Sequence, residues 1–260
     1  MDGSSVSHDS ISRYPSAVAP PATVSSDVAG RRLAFGVVPA YRRYELRQAR
    51  YQDLIEPIQT VAARNGLIDV LDLGSGHGFA KRFVDHHAIP ARWTGVEICP
   101  SRAESCRSLG YSEVIEELDL ERVSLPFDDQ SFDVVVASHV LEHLEDADAS
   151  VAEWFRVLKP GGRLLIGVPM HLGFVARFSS WRYRRSGRRP FGHCHFFSQK
   201  SLDALLAGFP VVGLRGFRLF SARKWLPLED YKWFYRWSMR FGRRFPALTA
   251  EVNVEIEKPL

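Results

Sequence analysis

Cysteine is scarce in this chain, which has three cysteines among 260 residues, Cys99, Cys106 and Cys194. Their number is odd, and no pair shows the C-x-x-C spacing of zinc sites and redox motifs. Neither a secreted disulfide framework nor a cysteine-based zinc site is therefore indicated. We expect a protein of a reducing cytoplasm, and the sequence assigns no metal site.

Long apolar runs are also missing. The best are short pieces such as 134–137 and 164–166, far below the ~20 apolar residues that cross a bilayer. The first residues lack the basic start and uninterrupted apolar stretch of a signal peptide, so secretion is not expected. Instead, residues 1–30 are rich in Ser, Pro, Ala and Val and are expected to form a disordered tail.

The net charge of +4 conceals two halves of opposite sign. Residues 1–160 carry 16 Lys and Arg against 24 Asp and Glu, whereas residues 161–260 carry 18 against 6. A basic half commonly indicates an anionic partner.

Apolar spacing predicts an α/β domain over residues 31–260. A helix is predicted over 41–64, with Gly66 as its left-handed cap. Strands and helices then alternate, which predicts a parallel sheet covered on both faces. The strands are predicted over 68–73, 93–98, near Val114, 132–137 and 163–168, and the helices over 79–87, 101–109 and 141–158.

The last third is less regular. A helix is predicted over 198–207 with Ser198 as its N-cap, and strands over 211–220 and 251–258. A helical stretch rich in Trp, Tyr and Arg lies between these strands. We interpret segments 171–197 and 222–248 as lids on the substrate side.

Three glycines follow the first predicted strand. Gly74, Gly76 and Gly78 remove side chains where the backbone must turn sharply and a ligand must come close. Their spacing is G-x-G-x-G, not the G-x-G-x-x-G that seats a pyrophosphate in nicotinamide dehydrogenases. Asp72 would repel a pyrophosphate, whereas a carboxylate there suits the ammonium group of an amino acid.

Polar residues also follow the next strands. Glu97, at the end of the second strand, can accept hydrogen bonds from both hydroxyls of a ribose. Asp119 can hydrogen-bond an adenine amino group while Leu120 packs against the ring. These features predict a pocket for a nucleoside joined to an amino acid. The same strand ends supply further predicted contacts, Ser75, Ile98 and Ser138.

Several motifs follow the glycine turn in order. They are LPF at 125–127, SFDVV at 131–135, VLEHL at 140–144 and RVLKPGG at 156–162. With them, the chain resembles the class I S-adenosylmethionine-dependent methyltransferases, specifically the methyltransferase type 11 group, over roughly residues 68–210. Each motif alone has a plainer structural explanation, and only the ordered set carries the resemblance.

The resemblance implies a Rossmann-like, three-layer sandwich with a seven-stranded, mostly parallel sheet and an antiparallel last strand. It implies S-adenosylmethionine as the cofactor. It also assigns the cofactor contacts to the carboxylates and the glycine turn, namely Asp72, Gly74, Gly76, Glu97, Asp119 and Leu120.

Histidines are prominent on the predicted substrate side. If the acceptor is a hydroxyl, a nearby base helps methyl transfer. The candidates are His139, after the fourth strand, His171, after the fifth, and His193 and His195 in the segment GHCHFFS. Of these, His139 and His193 are predicted to be catalytic, although packing is the simpler explanation for any single one. His143 is expected to orient a loop.

Two segments combine cations with aromatic side chains. Six arginines between residues 177 and 189 fit a lid for an acidic substrate, or a solvated basic loop. Residues 231–244 fit a helix on an anionic membrane surface or against a lipid-linked acceptor, or a lid packed on the core.

The sequence therefore predicts methylation of a small molecule, at oxygen, with an anionic, sugar-linked or lipid-linked acceptor. RNA methylation is an alternative, because the basic half would also attract phosphates. Against it, the segment after the fourth strand reads SHVL and lacks the Asn/Asp-Pro-Pro-aromatic signature of base-amine methylases. A non-catalytic cofactor-binding scaffold at a membrane surface is a further alternative, disfavoured by the intact acid and glycine positions.

Overall fold

The computed structural model describes Val37, residues 45–116, 118–121, 124–186 and 192–219, Leu228 and residues 231–260. All described residues belong to one compact unit, Leu33–Leu260. The tail predicted over 1–30 lies outside the described residues. So do the parts of the two predicted lids at 187–191, 222–227 and 229–230.

Seven strands form one sheet in the order β3-β2-β1-β4-β5-β7-β6. They are β1 (Ile68–Leu73), β2 (Ala91–Val96), β3 (Glu113–Ile115), β4 (Phe132–Ser138), β5 (Leu158–Pro169), β6 (Val211–Phe217) and β7 (Glu251–Glu257). Strands β1 to β5 pair in parallel, whereas β7 runs antiparallel to both β5 and β6. The predicted seven-stranded sheet with an antiparallel last strand is confirmed.

Alternate residues of the central strands point to opposite faces of the sheet. Val70 and Val134 belong to one buried cluster, while their neighbours Leu71 and Val135 belong to the other. All four side chains are fully buried, and burial of each stabilises the fold by about 1.5–3 kcal/mol. Continuous apolar strands are required here because helices cover both faces of the parallel sheet.

Eight helices are described around this sheet. They are α1 (Glu45–Gln52), α2 (Ile55–Asn65), α3 (Phe79–His86), α4 (Pro100–Ser108), α5 (Ala147–Arg156), α6 (Gly173–Ser186), α7 (Gln199–Leu205) and α8 (Lys232–Arg244). Short 3-10 turns occupy Leu141–His143 and Pro246–Leu248. None of the helices in the described ranges is long and apolar enough to cross a bilayer.

The helix predicted over 41–64 is wrong as a single element. The described part of this segment forms two helices, α1 and α2, with a break at Asp53 and Leu54. Pro57 explains the break, because its ring has no N–H and would clash with the carbonyl of Asp53 in a continuous helix. In the first turn of α2 the proline is tolerated. Gly66 ends α2 with a positive φ of 76°, but its ψ of −117° differs from that of the predicted left-handed cap.

The helix predicted over 141–158 is also wrong in extent. Leu141–His143 is a 3-10 turn, and α5 begins only after Asp146, whose side chain accepts a hydrogen bond from the Ala149 N–H at 3.0 Å. At the other end, Leu158 pairs with Phe132 as the first residue of β5. Apolar spacing over this segment reflects burial against the sheet, which both elements share.

The order of the strands positions a crevice. Strand β1 lies between β2 and β4, so the connections after β1 and β4 leave in opposite directions from adjacent strands. In open α/β sheets, ligands bind outside the carboxyl ends of strands at such a switch point. The residues that follow β1, β2 and β4 therefore define the candidate site.

Candidate functional site

The turn after β1 accepts only glycine at its key positions. Gly74, Gly76 and Gly78 have φ values of 61°, 58° and 67°, in the left-handed region. A Cβ atom at Gly74 would lie 2.7 Å from Cγ2 of Val140, and one at Gly78 would lie 2.6 Å from Cδ1 of Leu109. Gly76 has open space in front of it, with only a backbone oxygen 3.9 Å away. The turn thus presents bare backbone to the crevice.

Glu97 ties this turn to the end of β2. One carboxylate oxygen accepts the N–H of Gly76 at 2.8 Å, and the other accepts the N–H of Cys99 at 2.9 Å. The side chain is buried, and Arg102 lies 4.0 Å from Oε1. An ionised carboxylate has about four lone-pair sites, so each oxygen of Glu97 can still accept a hydroxyl.

Asp72 is the second buried carboxylate beside the turn. Its Oδ2 accepts a hydrogen bond from the Tyr111 hydroxyl at 2.7 Å. Burial raises the pKa of Asp72 to about 7; the hydrogen bond from Tyr111 opposes this rise, and the nearby charge of Glu97 adds to it. Asp72 pairs with Gly95 in the sheet, two residues before Glu97. The two predicted acids therefore lie on the same side of the molecule, around one turn.

Tyr111 is a site residue that the sequence did not indicate. It follows α4 and reaches back to Asp72, 39 positions earlier in the chain. Its ring packs edge-on against the buried Trp93, with centroids 5.8 Å apart. Nothing in the local spacing distinguishes it from an ordinary core tyrosine.

The predicted adenine contacts occupy the neighbouring strand ends. Asp119 Oδ1 accepts the N–H of Glu121 at 3.0 Å and so shapes a turn after β3. Leu120 packs partly buried against the core, and the Ile98 side chain is 64% exposed at the end of β2. The Ser75 hydroxyl lies 3.3 Å from the Cys106 sulfur. The assignment of these residues to the cofactor remains a prediction.

His139 follows Ser138, whose hydroxyl is buried at the end of β4. Its backbone adopts a φ of 59°, and its N–H donates to the Gly167 carbonyl at 2.8 Å. The ring lies between two carboxylates, with Nδ1 3.0 Å from Oε1 of Glu142 and Nε2 3.6 Å from Oε2 of Glu251. Burial favours the neutral ring, but these two partners outweigh it and raise the pKa of His139.

Glu251, the first residue of β7, is held by cations. Arg50 lies 2.7 Å from its Oε2, and Arg218 contacts its other oxygen. Although burial opposes ionisation, Arg50, His139 and Arg218 lower the pKa of Glu251. Tyr51 is close to both Glu251 and Asp72. Burial raises the pKa of Tyr51, and the charges of Asp72 and Glu251 raise it further. The sequence indicated none of these contacts.

His193 lies near Glu142, the other carboxylate partner of His139. Its ring meets that of His143 edge-on, with centroids 4.9 Å apart, and its pKa is lowered by burial. His143 Nδ1 lies 3.2 Å from the Gly192 carbonyl, as expected of a residue that orients a loop. Of the other candidates, His171 follows β5 with a pKa lowered by burial, and His195 Nε2 lies 3.1 Å from the Glu145 carbonyl. The structure thus brings His139 and His193 together around Glu142.

A surface cleft of about 570 Å³ lies between α6 and α7. Tyr183 and Arg184 from the first predicted lid line it, together with His195 and Phe196. The residues of the glycine turn are not among its walls, so this cleft is distinct from the crevice at β1.

The strand order 3-2-1-4-5-7-6, with a glycine turn beside two strand-end carboxylates, is a Rossmann-like arrangement that solved methyltransferase structures share. Residues 71–166 match a family model described as a methyltransferase domain. Over these residues the chain is similar to the methyltransferase type 11 family.

Several relatives and solved structures similar to this chain are named as methyltransferases. A methyltransferase from Archaeoglobus fulgidus, described as SAM-dependent, superposes with a TM-score of 0.56 at 17% identity, covering 84% of this chain and 95% of that one. The chain is 34% identical to a phthiotriol/phenolphthiotriol dimycocerosates methyltransferase of Mycobacterium leprae, over 36% of this chain and 35% of the relative. It is 27% identical to a ubiquinone/menaquinone biosynthesis C-methyltransferase of Shewanella halifaxensis, over 54% and 53%. The chain thus spans about a third to a half of these relatives.

Proposed function

We propose that this chain transfers a methyl group from S-adenosylmethionine to a small-molecule acceptor. The observation that carries the proposal is the glycine turn, closed on one side by Asp72 and tied on the other to Glu97. When bound, the cofactor supplies an electrophilic methyl group on a sulfonium. The residues of the chain bind it, orient it and keep water away, and positioning of this kind supplies much of the acceleration.

Each acid has a separate part in holding the cofactor. Asp72 is buried, so its carboxylate pairs with an ammonium at low dielectric, where the attraction is strong. Glu97 accepts the ribose hydroxyls while its bonds to the turn keep it oriented. Asp119, Leu120 and Ile98 surround the adenine.

The acceptor is proposed to be methylated at oxygen. Glu142 and the three histidines His139, His143 and His193 stand beyond the end of β4. A cluster of this kind lowers the cost of deprotonating a hydroxyl, which is the step that oxygen methylation needs and carbon methylation of an activated ring does not. The Shewanella relative is named as a C-methyltransferase, so the atom methylated is settled only by the product.

The test uses purified chain, cofactor labelled in its methyl group and a fractionated lipid and small-molecule extract. We expect label in a product whose mass has increased by one methyl group, with a labelled oxygen-bound methyl in its NMR spectrum. A labelled carbon-bound methyl would overturn the oxygen assignment. The Glu97→Ala variant is the matched control, and equal labelling by that variant would contradict the assigned cofactor site.

We further propose that the acceptor is lipid-linked and that the chain meets an anionic membrane surface. Helices α6 and α8 contain four and five Lys or Arg residues and no acidic residue. Exposed aromatic side chains accompany these cations. They are Phe174, Phe178 and Trp181 on α6 and Trp233 and Trp237 on α8. Cations beside exposed aromatics are typical of helices that lie in a bilayer interface.

The packing of α8 supports this orientation. Phe234, Ser238 and Gly242 form its buried stripe, and Gly242 comes so close to the backbone of Gly216 that no side chain fits there. Trp237 is 47% exposed on the other side of the helix. The buried stripe therefore holds the helix against the domain, while its tryptophans are left for contact with another surface. The Mycobacterium relative, named for dimycocerosates, supports a lipid-linked acceptor.

Vesicle co-sedimentation tests the membrane proposal. We expect binding to vesicles of phosphatidylglycerol at low salt, release at high salt and little binding to phosphatidylcholine, because each basic residue near an anionic surface contributes about 1 kcal/mol. The double variant Trp233→Ser and Trp237→Ser should bind more weakly. Leu67→Ser, which changes another exposed apolar residue, should not. Absence of salt-sensitive binding would contradict the proposal.

A further inference from the structure

Backbone contacts hold the loop before α7 against the turn after β4. The carbonyl of Glu142 accepts the N–H groups of Cys194 and His195, at 2.7 and 3.1 Å. The Cys194 thiol lies 3.2 Å from the carbonyl of His143. Main-chain atoms therefore fix the approach of the two segments, independently of any attraction between their side chains. His193, one residue before Cys194, is brought to Glu142 and His143 as a result.

Three potential ligand atoms converge at this place. One atom each from Glu142, His143 and His193 lies within 4.8 Å of the other two. Glu142 is almost completely buried, while the two histidines are partly buried, so the cluster is closed on the protein side and open on the other. Two imidazoles and one carboxylate with open positions form a ligand set that binds divalent transition metals.

The contacts of Glu142 and His143 suit an ion at this place. His143 Nδ1 faces the Gly192 carbonyl, which can only accept, so Nδ1 carries the proton and Nε2 keeps its lone pair. Glu142 Oε1 is occupied by His139, whereas no other described residue donates a hydrogen bond to the buried Oε2. A carbonyl behind one histidine and an imidazole behind the carboxylate are the outer partners that orient metal ligands.

The burial of the Glu142 side chain also suits a metal ion. An uncompensated buried carboxylate is costly, and a bound cation would offset that cost.

We propose that Glu142, His143 and His193 form a binding site for a divalent metal ion of the zinc class. Its catalytic meaning rests on the proposed methyl transfer. A metal ion there would bind the acceptor hydroxyl, lower its pKa and let its proton leave to solvent. The alkoxide would then attack the methyl group while the bond from that group to the sulfonium sulfur breaks, which leaves S-adenosylhomocysteine. The remaining coordination positions face away from the buried Glu142, toward the open side of the cluster.

Cobalt(II) titration of the full chain tests the site directly, because the visible d–d bands of Co²⁺ report its coordination without any activity. We expect one Co²⁺ per chain, displaced by Zn²⁺. Glu142→Gln and His193→Ala should each weaken binding by at least about 10-fold, since even loss of an outer-shell partner costs 10–100-fold. His195→Ala is the matched control, because that histidine contacts the Glu145 carbonyl instead. Co²⁺ binding by this variant should be unchanged.

Absence of bands at stoichiometric Co²⁺, or bands that survive in both ligand variants, would overturn the proposal. Far-UV circular dichroism and S-adenosylhomocysteine affinity, measured on each variant, check that the fold and the cofactor site are intact. Metal binding without methyl transfer would contradict the proposed function alone. Methyl transfer that is unaffected by metal removal, in a chain that binds no Co²⁺, would contradict the metal site alone.

Discussion

Removal of the Tyr111 hydroxyl should change the pH dependence of cofactor binding. In the native chain this hydroxyl donates a hydrogen bond to Asp72 at 2.7 Å. The bond lowers the pKa of Asp72, but burial outweighs it and the pKa is raised to about 7. Tyr111→Phe keeps the ring and its contact with Trp93 but removes the donor. The pKa of Asp72 should therefore rise further.

The size of the effect follows from the hydrogen bond. A hydrogen bond to a charged group is worth about 1.5–3 kcal/mol, which corresponds to a rise of about 1–2 pKa units. At pH 7 Asp72 is about half ionised in the native chain and would be about 1–10% ionised in the variant. If the ionised carboxylate binds the ammonium group, affinity falls about 5- to 50-fold at pH 7. At pH 9 the two proteins should agree within about twofold.

Calorimetric titration with S-adenosylhomocysteine between pH 6 and pH 9 is the assay. The ratio of variant to native affinity cancels the titration of the ligand's own amino group. Tyr235→Phe is a suitable control, because that ring packs beside Phe234 instead. A ratio that does not change with pH would refute the pairing of Asp72 with the ammonium group. A variant that binds more tightly at pH 7 would refute it as well.

Three further predictions concern the turn, the second acid and the sheet. Gly74→Ala should destabilise the fold by about 1–3 kcal/mol in denaturant unfolding, because it adds a contact with Val140 to an unfavourable φ; Gly76→Ala, with a similar φ but its nearest neighbouring atom 3.9 Å away, should cost less, and equal losses would exclude the clash. Glu97→Gln should weaken cofactor binding by about 1.5–3 kcal/mol in calorimetry, and an unchanged affinity would contradict a ribose contact. The pKa of Asp133 is lowered despite burial, by bonds from Asp69, Lys159 and Asn65. The stability it adds is therefore present above its unfolded value and lost on acidification, so native chain and Asp133→Asn should converge in thermal unfolding below about pH 4.

The glycine turn and the two acids could be predicted because their signal is local. Apolar runs of strand length, each followed by a polar or glycine-rich turn, fix which residues reach the carboxyl edge of a parallel sheet. The expected proximity of Asp72 and Glu97 follows from that edge alone, and in the structure the charge of Glu97 acts on Asp72 while Glu97 accepts the N–H of Gly76. Helix limits were harder, because a buried 3-10 turn and a buried helix share the same apolar spacing, as at Leu141.

The remainder of the site arises from contacts between distant segments. Arg50, in the first described helix, meets Glu251 in the last strand, and Arg218 completes their group. His193 reaches Glu142 because main-chain bonds hold its loop. No rule of sequence spacing links residues 50 or more positions apart. The sequence therefore did not predict that the members of either group are in contact.

The reversed direction of β7 has a practical consequence for experiments on the intact chain. Strand β7 begins at the carboxyl edge of its parallel neighbours and ends at their amino edge, where the N–H of Gly161 donates to the Lys258 carbonyl at 2.7 Å. A fusion tag or immobilisation handle added after Leu260 therefore emerges on the far side of the sheet from the glycine turn. Surface-attached protein should keep its crevice open to ligands and vesicles in solution.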